Sequence, residues 1–265
     1  MNVFKYELRS NLKQMLYWLS VALAFTILFL FMFPSFKEEG QVVLSMISAF
    51  PPELLESFGI NVETFFQIEG YTGFLFMYIL IIVAIQGAIL SIGIFSREGR
   101  TKTLDFIFTR PKSRGFILRG KIFAVIGYLL LNAVIYIGAL LILLPVVESG
   151  SIDRSYIVNL GVALLIVELF FAAFGLLLSV ILPKIKSVAT TAIITVMGFY
   201  ILQVIENFTD SSVLTYLNPF GLFDPTEILI KGSLSTNNVL IGVAYITVFS
   251  IIAALIYCKK DIHTV

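Results

Sequence analysis

The chain of 265 residues has one cysteine, Cys258, and one histidine, His263. A lone cysteine excludes a disulfide within the chain. A lone histidine excludes any metal centre built on several His or Cys ligands, so zinc and thiol redox chemistry are out. Charge is scarce as well: 13% of residues are charged, against about 25% in soluble domains. With 18 Lys and Arg against 17 Asp and Glu, the net charge of +1 gives no global field pointing to nucleic acid or to an acidic substrate. No GxxxxGK[ST] run is present, so the chain cannot hydrolyse ATP through a P-loop. The only histidine lies in the C-terminal tail, which leaves no Ser, His and carboxylate set. What is abundant is apolar, with 58% hydrophobic and 14% aromatic residues. That is the composition of a membrane protein.

A spanning helix needs about 20 largely apolar residues, because the hydrocarbon core is about 30 Å thick and a helix rises 1.5 Å per residue. Six segments qualify, approximately 17–33, 71–96, 122–147, 155–183, 187–205 and 239–258. The chain therefore reads as a single all-α integral membrane domain over 1–265. Basic residues are retained on the cytoplasmic side. Placing both termini there puts 15 of the 18 Lys and Arg inside and leaves only Lys37, Arg154 and Lys231 outside. The first segment lacks a small-x-small cleavage site, so it is expected to stay as a helix. Ahead of it, Val3, Phe4, Leu8, Leu12 and Met15 recur near helical period between Lys5, Arg9 and Lys13. This predicts a short N-terminal helix in the headgroup plane, with a frayed basic tail as the alternative.

The external loop 34–70 mixes acidic residues with Val42, Val43, Leu54, Leu55, Phe58, Phe65 and Phe66, and Pro51-Pro52 divides it into two pieces. It is expected to be ordered, with apolar faces on the membrane or on neighbouring helices. The run from Val213 to Gly232 is apolar but broken by Pro219, Gly221 and Pro225, too broken to span. A re-entrant or interfacial hairpin before span six, or a loop packed on top of the bundle, would each fit.

The loop 97–121, between spans two and three, has eight basic and two acidic residues in 25 positions. Leu104, Ile107 and Phe108, at i, i+3 and i+4, give a short helix an apolar stripe that Pro111 ends. An apolar face projecting into the cytoplasm needs a partner. The order Glu98, Thr103-Leu104, Pro111-Lys-Ser113-Arg114 and Gly120-Lys121 resembles the loop of type-two ATP-binding-cassette (ABC) transporter permeases, with Lys102 where that family commonly has glycine. Six spans, the amphipathic N-terminus, "EGYTGFLF" at the end of the first external loop and "YCKKDI" after span six extend the likeness over nearly the whole chain.

The resemblance implies a non-catalytic permease subunit of a bacterial cytoplasmic-membrane exporter. Such a subunit acts as a homodimer or a pair of related permeases, with two copies of a separate ATPase that binds ATP and Mg; this chain itself would hold no cofactor. In the family this loop carries the coupling helix. Leu104, Ile107 and Phe108 would be the face docking into the ATPase, next to Thr103 and Pro111, with Glu98 and Arg114 as flanking polar contacts. A basic loop resting on anionic headgroups is the competing reading.

Glu168, about halfway along span four, is the one formal charge well inside a predicted span. An ionised carboxylate there costs at least about 2.5 kcal/mol on insertion scales. It reads either as a proton relay or cation site, or as a carboxyl that locks span four to a neighbour. Gln86, Asn132 and Gln203 are neutral polar groups suited to interhelical hydrogen bonds, and Gln86 and Gln203 could instead line a pathway. An amphipathic, peptide or lipid-like cargo suits the acidic, apolar outer loop. Two rivals remain: a proton- or ion-coupled carrier using Glu168, and a membrane sensor or assembly scaffold.

Overall fold

An apolar run inside a bilayer has no water to satisfy its backbone, so each N–H and C=O must pair within the segment, and a helix does this with local bonds alone. The computed structural model describes residues 3–51, 54–55, 58–101, 113–148, 153–209 and 212–259, and among them contains helices and no strand. In chain order the helices are α1 Val3–Glu38, α2 Gly40–Ile47, α3 Ile68–Arg100, α4 Arg114–Val147, α5 Arg154–Ile181, α6 Val188–Thr209, α7 Ser212–Leu217, α8 Pro219–Leu222, α9 Pro225–Lys231 and α10 Thr236–Lys259. Six of these, α1, α3, α4, α5, α6 and α10, are long and apolar enough to cross a membrane.

Side-chain oxygens start several of the helices, as the free N–H groups of a first turn require. Ser113 Oγ accepts from Phe116 N at 3.3 Å and Asp153 Oδ1 from Ser155 N at 2.8 Å. Helix α9 ends on Gly232 at φ 66°, a left-handed position where glycine carries no Cβ penalty.

The N-terminal helix is present but is not separate. It runs unbroken into the first span as one helix of 36 residues, about 54 Å long at 1.5 Å per residue and well beyond the ~30 Å hydrocarbon core. The reason is its stripe of buried residues. Glu7, Asn11 and Met15 continue the line of Leu19, Ala22 and Thr26, so the same face packs on the bundle throughout. Helix α1 also continues through Pro34 to Glu38, inside what reads as loop in the sequence. Close to this point Tyr71 Oη of α3 donates to the Phe29 carbonyl at 2.9 Å, tying the two helices together.

Helices α3 and α5 form the centre of the bundle. The most apolar stretch of α3 is 78% buried and that of α5 is 61% buried, against 11% for α10. Small residues permit this approach: a Cβ on Gly87 of α3 would lie 2.6 Å from the Glu168 carbonyl oxygen of α5, and one on Gly175 would lie 3.2 Å from the Ala88 carbonyl oxygen. The outer faces of α1, α4, α6 and α10 expose Ile, Leu, Val and Phe side chains, as lipid requires.

Contacts set the two ends of the bundle. Val3 meets Gly120, Glu7 meets Arg97, and Arg114 meets the Cys258 carbonyl, so the starts of α1 and α4 share one end with the finishes of α3 and α10. This end also has Lys5, Arg9, Lys13, Arg100 and Arg119. At the other end Lys37 pairs with Glu148, and loop residues Leu55 and Phe65 are buried. Phe65 lies in an aromatic cluster with Phe36, Tyr71 and Phe74. The run 213–232 forms α7, α8 and α9; Asn218 through Phe223 are buried against the bundle, and Tyr156 Oη of α5 reaches the Pro225 carbonyl at 3.4 Å. Protein thus covers the broken backbone that three helix-breaking residues create.

Candidate functional site: the feet of the loop and the buried polar groups

Thr101 caps α3 and Ser113 caps α4. Thr103, Leu104, Ile107, Phe108 and Pro111 lie outside the described residues, as does the side chain of Glu98. The structure does describe how the loop is anchored. On the α3 side, Arg97 Nη1 donates to Glu7 Oε2 at 3.0 Å and Nη2 donates to Asn11 Oδ1 at 3.0 Å. Asn11 Nδ2 in turn donates to the Glu7 carbonyl at 2.8 Å and to Glu7 Oε2 at 3.2 Å. Glu7 and Asn11 are spaced i, i+4, so both face α3 from adjacent turns. Glu7 is buried, its side chain 3% exposed, whereas Arg97 is half-buried at 25%. Removing Arg97 leaves the buried carboxylate with Asn11 as its side-chain partner, at about 1–3 kcal/mol.

On the α4 side, Arg114 Nη1 reaches the Cys258 carbonyl of α10 at 3.4 Å. Lys121 is fully buried and donates to the Ile94 carbonyl of α3 at 2.9 Å, with its ammonium 5.9 Å from the Phe95 ring centroid. A buried ammonium is tolerated only with such partners. The next arginine along α3, Arg100, stays on its own helix, bonding Ser96 Oγ at 3.1 Å and the Gly93 carbonyl at 3.3 Å. The feet of the loop are therefore tied to α1, α3, α4 and α10.

Deep in the bundle the structure brings Gln86 and Glu168 together through Asn132. Asn132 Nδ2 donates to Glu168 Oε1 at 2.9 Å and to Gln86 Oε1 at 3.4 Å, and all three residues are buried. The three sit on α5, α4 and α3, so one amide joins three helices. Gln203 belongs to a different group towards the other end of the bundle. It accepts from Asn218 Nδ2 at 2.8 Å and lies beside Glu206, which packs on Gly221, where a Cβ would meet Glu206 Oε2 at 2.5 Å. Nearby, Asp224 Oδ1 caps α9 by accepting from Thr226 N at 2.7 Å. Burial pushes its carboxyl above the usual range, against the opposing pull of the Thr226 and Glu227 N–H groups.

Sequence reading missed Glu7, Asn11 and Asn218. A signal for the first two was available: polar residues at i, i+4 falling on the apolar stripe rather than opposite it. Asn218 carried none, because its burial depends on how α7 and α8 fold back on α6.

Six long apolar helices, with ionic anchors confined mostly to their ends, define a multi-pass integral membrane protein. The sequence matches the family described as ABC-2 family transporter protein over residues 1–262, and the chain belongs to that family. It is accordingly the membrane permease subunit of an ABC transporter, a non-catalytic part of the machine whose family associates with an ABC ATPase. No curated protein matches the chain significantly.

Proposed function

We propose that the chain is the membrane half of an exporter, working as two copies in a bacterial cytoplasmic membrane with both termini inside. Each copy carries one separate ATPase that binds ATP and Mg. The loop 97–121 docks on that ATPase through Leu104, Ile107 and Phe108, with Thr103 and Pro111 framing the helix and Glu98 and Arg114 at its rim. An apolar plug carries force and rim charges set register.

The observation that supports this reading is the anchoring of the loop. A push on it reaches α1 through Arg97 and Glu7, α3 through Lys121 and the Ile94 carbonyl, and α10 through Arg114. Short polar contacts in a closely packed foot transmit displacement, whereas a loop resting on headgroups would need no such ties. In this reading Gln86, Asn132 and Glu168 hold the bundle together, and the coupling energy comes from ATP rather than from a proton on Glu168. The cargo is amphipathic, peptide or lipid-like, which suits the apolar, aromatic packing under the acidic outer loop.

The test is a pull-down in mild detergent, with identification of the co-purifying chains. The natural protein is expected to bring down a P-loop ATPase, and Leu104→Asp/Phe108→Asp to lose it while keeping its elution profile. Recovery of the ATPase with the double variant would overturn the docking face. Absence of any ATPase, even after gentle cross-linking, would favour a proton-coupled carrier or a scaffold. Exchanging residues 34–70 for the loop of a relative is expected to change cargo choice.

A further inference from the structure

Two glycines on α4 leave a trough where α1 crosses it at the basic end of the bundle. A Cβ on Gly120 would meet Val3 at 3.1 Å, and one on Gly127 would only touch the Phe4 ring at 4.0 Å, so the two helices are close at the first and stand off at the second. The result is an open groove of about 530 Å³ lined by Phe4, Gly120, Phe123, Ile126, Gly127 and Leu130, with no polar side chain among them. From Gly120 to Leu130 it runs ten residues, about 15 Å at 1.5 Å per residue. That is half of the ~30 Å hydrocarbon core, or the depth of one leaflet.

The mouth of the groove is cationic. Arg119 adjoins Gly120 and lies one turn before Phe123, on the same stripe of α4. On α1, Glu7 and Asn11 face Arg97, Phe4 faces Gly127, and Lys5 lies about 100° further round in the same sense, at the outer edge of the contact. Both side chains are exposed, and neither has a hydrogen bond or ion pair to another described residue. Every other basic side chain at the feet of α3 and α4 that is described, namely Arg97, Arg100, Arg114 and Lys121, is engaged.

We propose that this groove holds one acyl chain of an anionic phospholipid whose phosphate lies between Lys5 and Arg119. The apolar trough fits the tail in length and chemistry, and the two free cations fit the head. A zwitterionic lipid would offer the same tail but no net charge. The site depends only on the chain lying in a bilayer and is independent of the exporter reading.

Native mass spectrometry of the delipidated full chain in detergent tests this, with phosphatidylglycerol and phosphatidylcholine of matched acyl chains as probes. The first bound lipid is expected to be phosphatidylglycerol, with a preference of about fivefold contributed by each cation. Lys5→Ala and Arg119→Ala should each lower that preference by about this factor. Lys13→Ala, exposed on the same end of α1 but about 180° round the helix from Phe4, should leave it unchanged. Gly127→Leu fills the trough and should weaken both lipids alike. Leu130→Ser, whose hydroxyl can satisfy itself on its own helix, reads the same tail contact should Gly127→Leu not fold. Equal binding of the two lipids, an equal effect of Lys13→Ala, or full retention by both tail variants would overturn the proposal.

Discussion

At the residue scale the consequential groups are those that bury a polar atom among apolar ones. Asn132 donates to both Glu168 and Gln86, so its loss leaves two acceptors unpaired in the driest part of the bundle. Asn132→Leu is expected to cost about 1–3 kcal/mol, the penalty of stranding buried polar atoms, measured as a fall in the unfolding midpoint in detergent. Glu168→Gln keeps the acceptor at Oε1 and the side-chain volume, and is expected to fold within about 1 kcal/mol of the natural protein. It should also retain ATP-dependent transport; abolished transport in a folded Glu168→Gln protein would restore the proton-relay reading. Gly87→Ala sets a methyl 2.6 Å from the Glu168 carbonyl oxygen, a backbone atom that cannot step aside. It should therefore destabilise more than Gly127→Ala, which meets only the Phe4 ring at 4.0 Å.

At the scale of elements the foot of α1 matters most. The Glu7 and Arg97 pair joins the first helix to the last turns of α3, where the loop begins. Arg97→Ala leaves the buried Glu7 carboxylate with Asn11 as its side-chain partner, and the expected loss is about 1–3 kcal/mol of unfolding free energy, measured in detergent. Glu7→Gln/Arg97→Met, which removes both charges and keeps bulk, should recover most of that loss. Failure of the double variant to recover would show that the Arg97 bond to Asn11, lost in both variants, carries the link between the helices. In the exporter reading the double variant has a second phenotype: a stable protein with weakened coupling, seen as ATPase turnover no longer tied to cargo movement. How much of this foot is legible in the sequence follows from its residue types. The basic cluster is visible in 97–121, but that Arg97 points at α1 while Arg100 folds back on its own helix depends on which face of α3 meets a neighbour.

For the whole molecule the open quantity is sidedness, and the lone cysteine reports it. Cys258 is exposed at the same end of the bundle as Lys5, Arg97 and Arg119. With both termini inside, a membrane-impermeant maleimide should label inverted vesicles and leave intact cells unlabelled. A Cys258→Ser/Ser45→Cys protein should show the reverse, because Ser45 lies on α2 between the end of α1 and the outer loop. Labelling of Cys258 in intact cells would invert the topology and move the loop 97–121 away from any cytoplasmic ATPase.

Composition, span count and charge asymmetry are properties of the chain read in one dimension. Hydrocarbon demands about 20 apolar residues per crossing whatever those helices touch, so six spans and a basic end follow from residue order alone. The ordered motif in 97–121 likewise carried the family. Which helices lie at the centre did not follow, because α3 and α10 are about equally apolar yet differ sevenfold in burial. Partnership depends on where Gly87 and Gly175 let backbones meet. The join of the N-terminal helix to span one, the pairing of Gln86 with Glu168 rather than Gln203, and the trough at Gly127 are tertiary for the same reason. Each depends on two helices meeting at one height and one rotation, which the packing of side chains decides and no single segment contains.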